Sequence, residues 1–366
     1  EQLYLLDQMD NWSQVATEDG YTGYIRNEDI SEPEQVMFSH ESTQPEYTSI
    51  QKDYKINLAW HQMTTADGNA TLAEMVAGSQ GINTISPTWF SIADNSGNIT
   101  SLASADYVNQ AHSMGMEVWA LIDNFSTEVD TLAVLSDTQA RANIINQLMA
   151  QADAVGLDGI NVDFESITEE QGPHYVQFIR EISIACRNRG LVLSIDNPVP
   201  MPYSTHYNRR EQGIVADYVI NMGYDEHHSG DTEAGSVASL GFVRQSIEDT
   251  LQEVPAEKVI NAIPFYTRLW KEPYGGGTLT SQVLGMDGAS SFISENGLDV
   301  YWDSEAGQNV AMLDGEDGLY SIWVEDEQSI EEKMKLVQEY QLAGVAAWKL
   351  GFERDSVWPI IAQYLQ

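Results

Sequence analysis

The chain has 366 residues, enough for one large domain and an accessory piece. Seventeen Lys and Arg stand against 56 Asp and Glu, a formal net charge of −39, which excludes nucleic acid and anionic membrane surfaces as partners. A single cysteine, Cys186, excludes an intramolecular disulfide framework. It lies among apolar helical positions such as Ile182 and Ala185, as an inert buried thiol does. No stretch approaches the about 18 uninterrupted apolar residues of a membrane span. The chain opens mid-pattern at Glu1 without a methionine, which suggests a processed or trimmed start.

Residues 1–36 carry Trp12, Val15, Gly20, Tyr21, Gly23, Tyr24 and Ile25. Their spacing predicts short antiparallel strands around a Gly-rich turn, too few to bury much core alone. Residues 37–54 read as linker. From about residue 55 short apolar strands alternate with helices, the pattern of a parallel sheet. The predicted strands are Lys55–Trp60, Thr84–Trp89, Glu117–Asp123, Gly159–Glu165, Val192–Asp196, Tyr218–Gly223, Val259–Pro264 and Gly344–Trp348. Ser136 with Gln139 forms a candidate capping box. Pro173 suits a first helical turn and Gly190 its exit. Val237–Val254 and Ser329–Ala343 read as two further helices. Eight strands with interleaved helices predict a (β/α)8 barrel. Residues 271–325 break the rhythm and read as a small α+β lobe inserted between the seventh and eighth strands, forming one wall of a groove over the barrel mouth.

The octapeptide 158–165, Asp-Gly-Ile-Asn-Val-Asp-Phe-Glu, is the most informative stretch. Ile160, Val162 and Phe164 alternate with Asn161, Asp163 and Glu165, the period of a β-strand. Like charges stacked along one strand face are costly unless that face lines a cavity where they act. Glu165, last of the row, would stand at the C-terminal mouth, where parallel barrels build their sites. A carboxyl in that position is a candidate general acid, and a neighbouring Asp163 carboxylate would raise the pKa of Glu165.

These residues resemble glycoside hydrolase family 18, the chitinase-like barrels, whose fourth-strand signature is Asp-x-x-Asp-x-Asp-x-Glu. Asp158, Asp163 and Glu165 match, and Asn161 replaces the second Asp. That replacement, with Ile85-Ser-Pro-Thr-Trp89, Asn221-Met-Gly-Tyr-Asp225, Pro264-Phe-Tyr-Thr-Arg268, Tyr301-Trp-Asp303, Gly307-Gln-Asn309 and Ala346-Ala-Trp348, is similar to the bacterial cell-wall and spore-cortex branch. Trp12-Ser-Gln-Val and Gly23-Tyr-Ile look like the tail of a bacterial SH3-like module. The resemblance implies a retaining mechanism in which the substrate's own 2-acetamido oxygen attacks the anomeric carbon. Glu165 would be acid and base, Asp163 would orient the acetamido group, and Tyr224 would hydrogen-bond its carbonyl. With Asn161 in place of Asp, the deeper carboxylate that shares the proton of Asp163 would be missing.

Trp348 matches the floor of the cleavage subsite, the alternative being an ordinary core tryptophan. Trp89, like Trp60 and Trp270, ends a predicted strand and is either groove wall or core. Asn161, Asp225 and Asn221 are further candidates for substrate contact, the last two with capping as the alternative. Arg268 binds a substrate carboxylate or pairs with one of the many acids. Adjacent His227 and His228 point to opposite sides of an extended chain, and Asp314, Glu316 and Asp317 lack the EF-hand spacing, so no metal is expected. No cofactor fingerprint is present. The expected partner is a glycan polymer, peptidoglycan before chitin, acted on by an exported, wall-associated monomer of Gram-positive bacterial type. The rivals are a chitinase, a non-catalytic carbohydrate-binding barrel, and a wall-anchoring protein.

Overall fold

The computed structural model describes residues 2–35 and 48–366. The chain divides into two compact units, Glu1–Glu46 and Tyr47–Gln366. In the first, β1 (Leu3–Gln8), β2 (Trp12–Thr17) and β3 (Thr22–Arg26) form an antiparallel sheet in the order β1-β2-β3. Gly20, at φ +83°, makes the turn between β2 and β3, a backbone conformation that costs a side chain dearly. The sequence had pointed to strands around this turn; β1 is an addition to that reading. Of the expected linker, residues 37–47 lie outside the described residues. Residues 48–54 are tied to the second unit instead: the Ile50 amide donates to Asp217 Oδ1 at 2.6 Å and the Lys52 amide to the Tyr218 hydroxyl at 3.0 Å.

The second unit is built on β4 (Ile56–His61), β5 (Thr84–Ile92), β6 (Ile99–Ser101), β7 (Glu117–Asp123), β8 (Gly159–Asp163), β9 (Val192–Pro198), β10 (Tyr218–Met222) and β11 (Val259–Pro264). It adds β12 (Tyr266–Pro273), β13 (Thr280–Gly285), β14 (Val300–Asp303), β15 (Gln308–Asp314), β16 (Gly318–Val324) and β17 (Gly344–Trp348). A nine-stranded sheet runs β4-β17-β11-β10-β9-β8-β7-β5-β6. β4 also pairs in parallel with β5, and β6 is an antiparallel flap on β5, so eight parallel strands close into a barrel. All eight fall where the sequence pattern put them, but β8 ends at Asp163, so Glu165 lies just beyond the strand.

Strand parity sorts the side chains. Leu58, Trp60, Trp119, Leu121, Tyr218, Ile220 and Ile260 fill the bore, with Trp119 stacked on Tyr218 at 5.4 Å. A Cβ on Gly159 would meet Trp119 at 2.8 Å, so the strand that carries the acidic row must begin with glycine. The opposite face of each strand packs on the surrounding helices in one large apolar cluster. Helix 138–155 is capped by Asp137, whose side chain accepts from the Gln139 amide, and helix 131–136 by Asp130. The expected Ser136 box is therefore not formed, because a carboxylate one residue later is the better acceptor. The helix carrying Pro173 spans Gly172–Arg187, and the two later helices are Leu240–Leu251 and Glu327–Glu339, shorter than the pattern suggested.

The inserted lobe starts at Tyr266, five residues earlier than expected, and is a five-stranded antiparallel sheet in the order β13-β12-β16-β15-β14 with helix Met286–Glu295. Its own core is Ala289, Ala311, Ile322 and Val324. A buried ion pair sits where the lobe returns to the barrel. Lys333 Nζ lies 2.9 and 3.0 Å from the two carboxyl oxygens of Glu325, which also accept from Gln308 and Ser329. Each charged side chain is 1 % exposed. Removing one partner strands the other charge in apolar surroundings, so Lys333→Met is expected to cost ~3–5 kcal/mol. Urea denaturation would measure it, and a loss below about 1 kcal/mol would show that the pair does not hold this junction.

Candidate active site

The C-terminal ends of three neighbouring strands bring carboxyls together. Asp123 on β7 is in register with Asp163 on β8. Val162 pairs with Ile195 of β9, so Asp163 and the next residue, Asp196, continue side by side at the same level. All three are buried. Two residues earlier on the same face of β8, Asn161 has every hydrogen-bonding position filled. Its Oδ1 accepts from Trp60 Nε1 at 3.0 Å and Ser86 Oγ at 3.1 Å, and its Nδ2 donates to Ser194 Oγ at 3.0 Å and Asp196 Oδ1 at 2.8 Å. An aspartate at 161 could not make the last two bonds as an ion. Asn161 is thus a buried hub beneath the site rather than a substrate contact, which corrects the sequence expectation.

Glu165 stands two residues beyond Asp163, open to the mouth. Its backbone is clamped by Asn124, whose Oδ1 accepts from the Glu165 amide at 2.9 Å and whose Nδ2 donates to the Glu165 carbonyl at 3.0 Å. Ser166, at φ +54°, turns the chain away directly afterwards. The desolvating walls of the mouth, followed by repulsion from Asp225 and Asp123, push the Glu165 carboxyl above its ordinary value. Burial, then repulsion from Asp196, Glu165 and Asp123, holds Asp163 well above the usual aspartate range. Asp196 is pushed up chiefly by burial, and Asp123 by burial against the bonds it accepts from the Phe125 amide and Ser91. The causes follow from geometry: four acids in low-dielectric walls cannot all ionise. Asp163 is not the main neighbour raising Glu165, as the sequence had suggested; Asp225 and Asp123 are.

Tyr224 follows β10 and packs against the bore, 6.2 Å and edge-on from Tyr266 of the lobe. Burial and the neighbouring acids hold its phenol well above the usual range, so it remains a donor. Asp225 accepts from the Tyr266 hydroxyl at 2.5 Å. On the far side of the bore, Trp348 ends β17 with its ring 5.9 Å from that of Trp60. A cleft of ≈ 510 Å³ is lined by Glu165, Ile167, Tyr203, Tyr207, Tyr224 and Asp225 among others. Glu165, the Tyr224 phenol and Asp225 therefore line one cleft at the mouth.

Other expected contacts lie elsewhere. Asn221 is on the outer face of β10, donating to Ser246 Oγ and Asn261 Oδ1, each at 2.9 Å, because Ile220 and Met222 take the inward parity. Trp89 is 1 % exposed, faces the helices, and donates to Asn69 at 2.9 Å while its ring meets Tyr107 edge-on at 5.1 Å. Neither side chain reaches the mouth. Arg268 lies on β12 and donates to Ser281 Oγ at 3.0 Å, a bond within the lobe rather than an ion pair. Trp270 is core, bonded to the Gly235 carbonyl. Sequence reasoning missed Asp123, Asp196 and Asn124. The first two were legible as the last residues of two predicted strands.

The model for the family described as "Glycosyl hydrolases family 18" matches residues 40–353. Among curated proteins, the putative sporulation-specific glycosylase YdhD of Bacillus subtilis is 30% identical over 230 residues, 62% of this chain and 54% of that protein. The cortical fragment-lytic enzyme of the same organism is 28% identical over 246 residues, 65% of this chain and 56% of its own length. The chain thus spans little more than half of either relative. Of solved structures, the C-terminal domain of a putative chitinase from Desulfitobacterium hafniense superposes with TM-score 0.77 at 20% identity, covering 86% of this chain and 100% of that one. The Bacillus megaterium spore cortex-lytic enzyme SleL gives TM-score 0.74 at 18% identity, over 86% and 76%. The fold of the barrel is theirs, and the chain belongs to glycosyl hydrolases family 18, a family of glycoside hydrolases.

Proposed function

We propose that this glycoside hydrolase cleaves β-1,4 bonds after N-acetylglucosamine in peptidoglycan, with retention of configuration through participation of the substrate's acetamido group. The observation that carries the reading is a glutamate exposed at the mouth, its carboxyl pushed above the ordinary range, two residues beyond a buried aspartate on the same strand end. Glu165 donates its proton to the departing oxygen and, as the carboxylate, later takes one from water. Asp163 accepts from the acetamido N–H and stabilises the positive charge that develops on the ring nitrogen of the oxazolinium intermediate. The Tyr224 phenol donates to the acetamido oxygen as it attacks, and Trp348 supplies an apolar floor for the sugar face. Trp348 and Tyr224 flank the same bore from strands β17 and β10.

Support for peptidoglycan comes from relatives named for sporulation and cortex lysis, and the same names support an exported, wall-associated site of action. Among the described residues no helix is long and apolar enough to cross a membrane. We read residues 1–36 as part of an SH3-like wall-binding module; the exposed Trp12, Tyr21 and Tyr24 on or beside the β1–β3 sheet suit contact with a polymer. Chitin is the second reading, favoured by the likeness to a putative chitinase domain.

Glu165→Gln keeps the shape and removes the acid, so kcat should fall by at least ~10³-fold with KM changed little. Turnover near that of the parent would refute the assignment. Because the raised Glu165 is active while protonated, the alkaline limb of kcat/KM should lie above the ordinary glutamate value of about 4.3. A thiazoline mimic of the oxazolinium should inhibit far more tightly than the disaccharide product binds. Indifference to it would point to a protein nucleophile, with Asp225 the exposed candidate. Reducing ends released from purified peptidoglycan but not from chitin would settle the polymer; the reverse result would favour the second reading.

A further inference from the structure

Two buried acids in the site are incompletely bonded. Asp163 Oδ1 and Asp196 Oδ2 are each buried without a hydrogen-bond partner among the described residues. The other oxygen of Asp196, Oδ1, is fixed by Asn161 Nδ2 at 2.8 Å. Strand register continues to set the two residues side by side, and Asp196 is the first of the neighbouring charges that act on Asp163, so two buried carboxyls with unpartnered oxygens meet at one level of the bore. Two adjacent carboxylates buried there cannot both ionise, and a single shared proton is the arrangement of lowest energy.

Resting on the reading of Asp163 as the acetamido orienter, we propose that Asp196 is a positioning residue that carries the proton of the pair while Asp163 works. At rest the two carboxyls hold one proton and one negative charge between them. When the acetamido N–H approaches, the O–H bond on Asp163 breaks and one forms on Asp196, leaving Asp163 as the ion that accepts the N–H. The proton returns when the sugar leaves, so the pair keeps one charge throughout. Asn161 enables this exchange. It anchors one oxygen of Asp196 and leaves the other free, and it places no third acid beneath. On this proposal the partner carboxyl that Asn161 does not provide on β8 comes from β9, at the level of Asp163.

The surroundings fix the sign of the pH dependence. Facing the pair are Asp123 on β7, Glu165 after β8, Tyr224 after β10, and Tyr175 and Tyr207 from the segments packed outside β8 and β9, with Arg209 the cation nearest those two phenols. Sharing makes the first proton of the pair leave at lower pH than either buried acid would lose it alone. Removing Asp196 therefore moves the acid limb of kcat/KM to higher pH.

The test is the kcat/KM profile of Asp196→Asn and of the exchange variant Asn161→Asp/Asp196→Asn, read on a fluorogenic N-acetylglucosamine disaccharide, with Glu165→Gln in parallel. The asparagine variant should show a bell narrowed on its acid side and a kcat lowered about 10-fold or more, with KM changed less than about 3-fold. The exchange variant should recover much of the width. An unchanged bell, scaled down uniformly, would reduce Asp196 to packing and overturn the proposal while Glu165→Gln remained inactive. An active Glu165→Gln would instead overturn the reading beneath it. Should Asp196→Asn fail to melt cooperatively, the exchange variant decides alone: folded and inactive, it counts against the proposal.

Discussion

Crowding of carboxyls at the C-terminal end of the barrel is the constraint on which the site depends. Asp123, Asp163 and Asp196 occupy one level on three adjacent strands, with Glu165 just above them. Water would solvate four such charges cheaply, but the bore beneath is tryptophan, leucine and isoleucine. The walls therefore refuse full ionisation and hold protons in place. A chain with a net charge of −39 does not need these acids for solubility. Their cost in stability is intelligible only as a means of keeping a proton donor beside a hydrogen-bond acceptor.

The scaffold meets this constraint with hydrogen bonds on one side and rigidity on the other. Asn161 ties β8 to β4, β5 and β9 through Trp60, Ser86, Ser194 and Asp196, so the strand bearing Asp163 cannot shift without breaking four bonds. Asn124 grips the backbone of Glu165 from the neighbouring loop. The acid is thus placed by its main chain, leaving its side chain open to the cleft. From the opposite side the lobe contributes Tyr266, which holds Asp225. Lobe and barrel meet over buried polar contacts such as Lys333 with Glu325, where geometry has to be kept for the charges to remain paired.

Much of this was legible in the sequence, and the failures are informative. The barrel strands could be found because a buried parallel strand is a short apolar run and most of them are separated from the next by a helix. The octapeptide gave the acidic row because alternation assigns faces without further knowledge. The same parity argument, applied to β10, would have sent Asn221 outward, since Tyr218 and Ile220 take the bore. Applied to β5 it would have sent Trp89 to the helices, since Ser86 faces inward to Asn161. Aromatic and amide residues were instead judged by their closeness to strand ends, which does not determine direction. Asp196 went unnoticed because it was taken as the end of an element. Only the register between β8 and β9 brings it to Asp163, and register between strands so distant in sequence is not written in either strand.

The account stands or falls on whether the acids at the barrel mouth keep protons that solvent-exposed acids would have lost. A carbon-13 NMR titration of the aspartate side-chain carboxyls, assigned with Asp163→Asn and Asp196→Asn, measures this without reference to any substrate. The Asp163 and Asp196 carboxyls should titrate together, with at least one step well above the ordinary value of about 3.9. Two independent transitions near that value would mean that the crowded site is solvated and ionised, and would contradict the account.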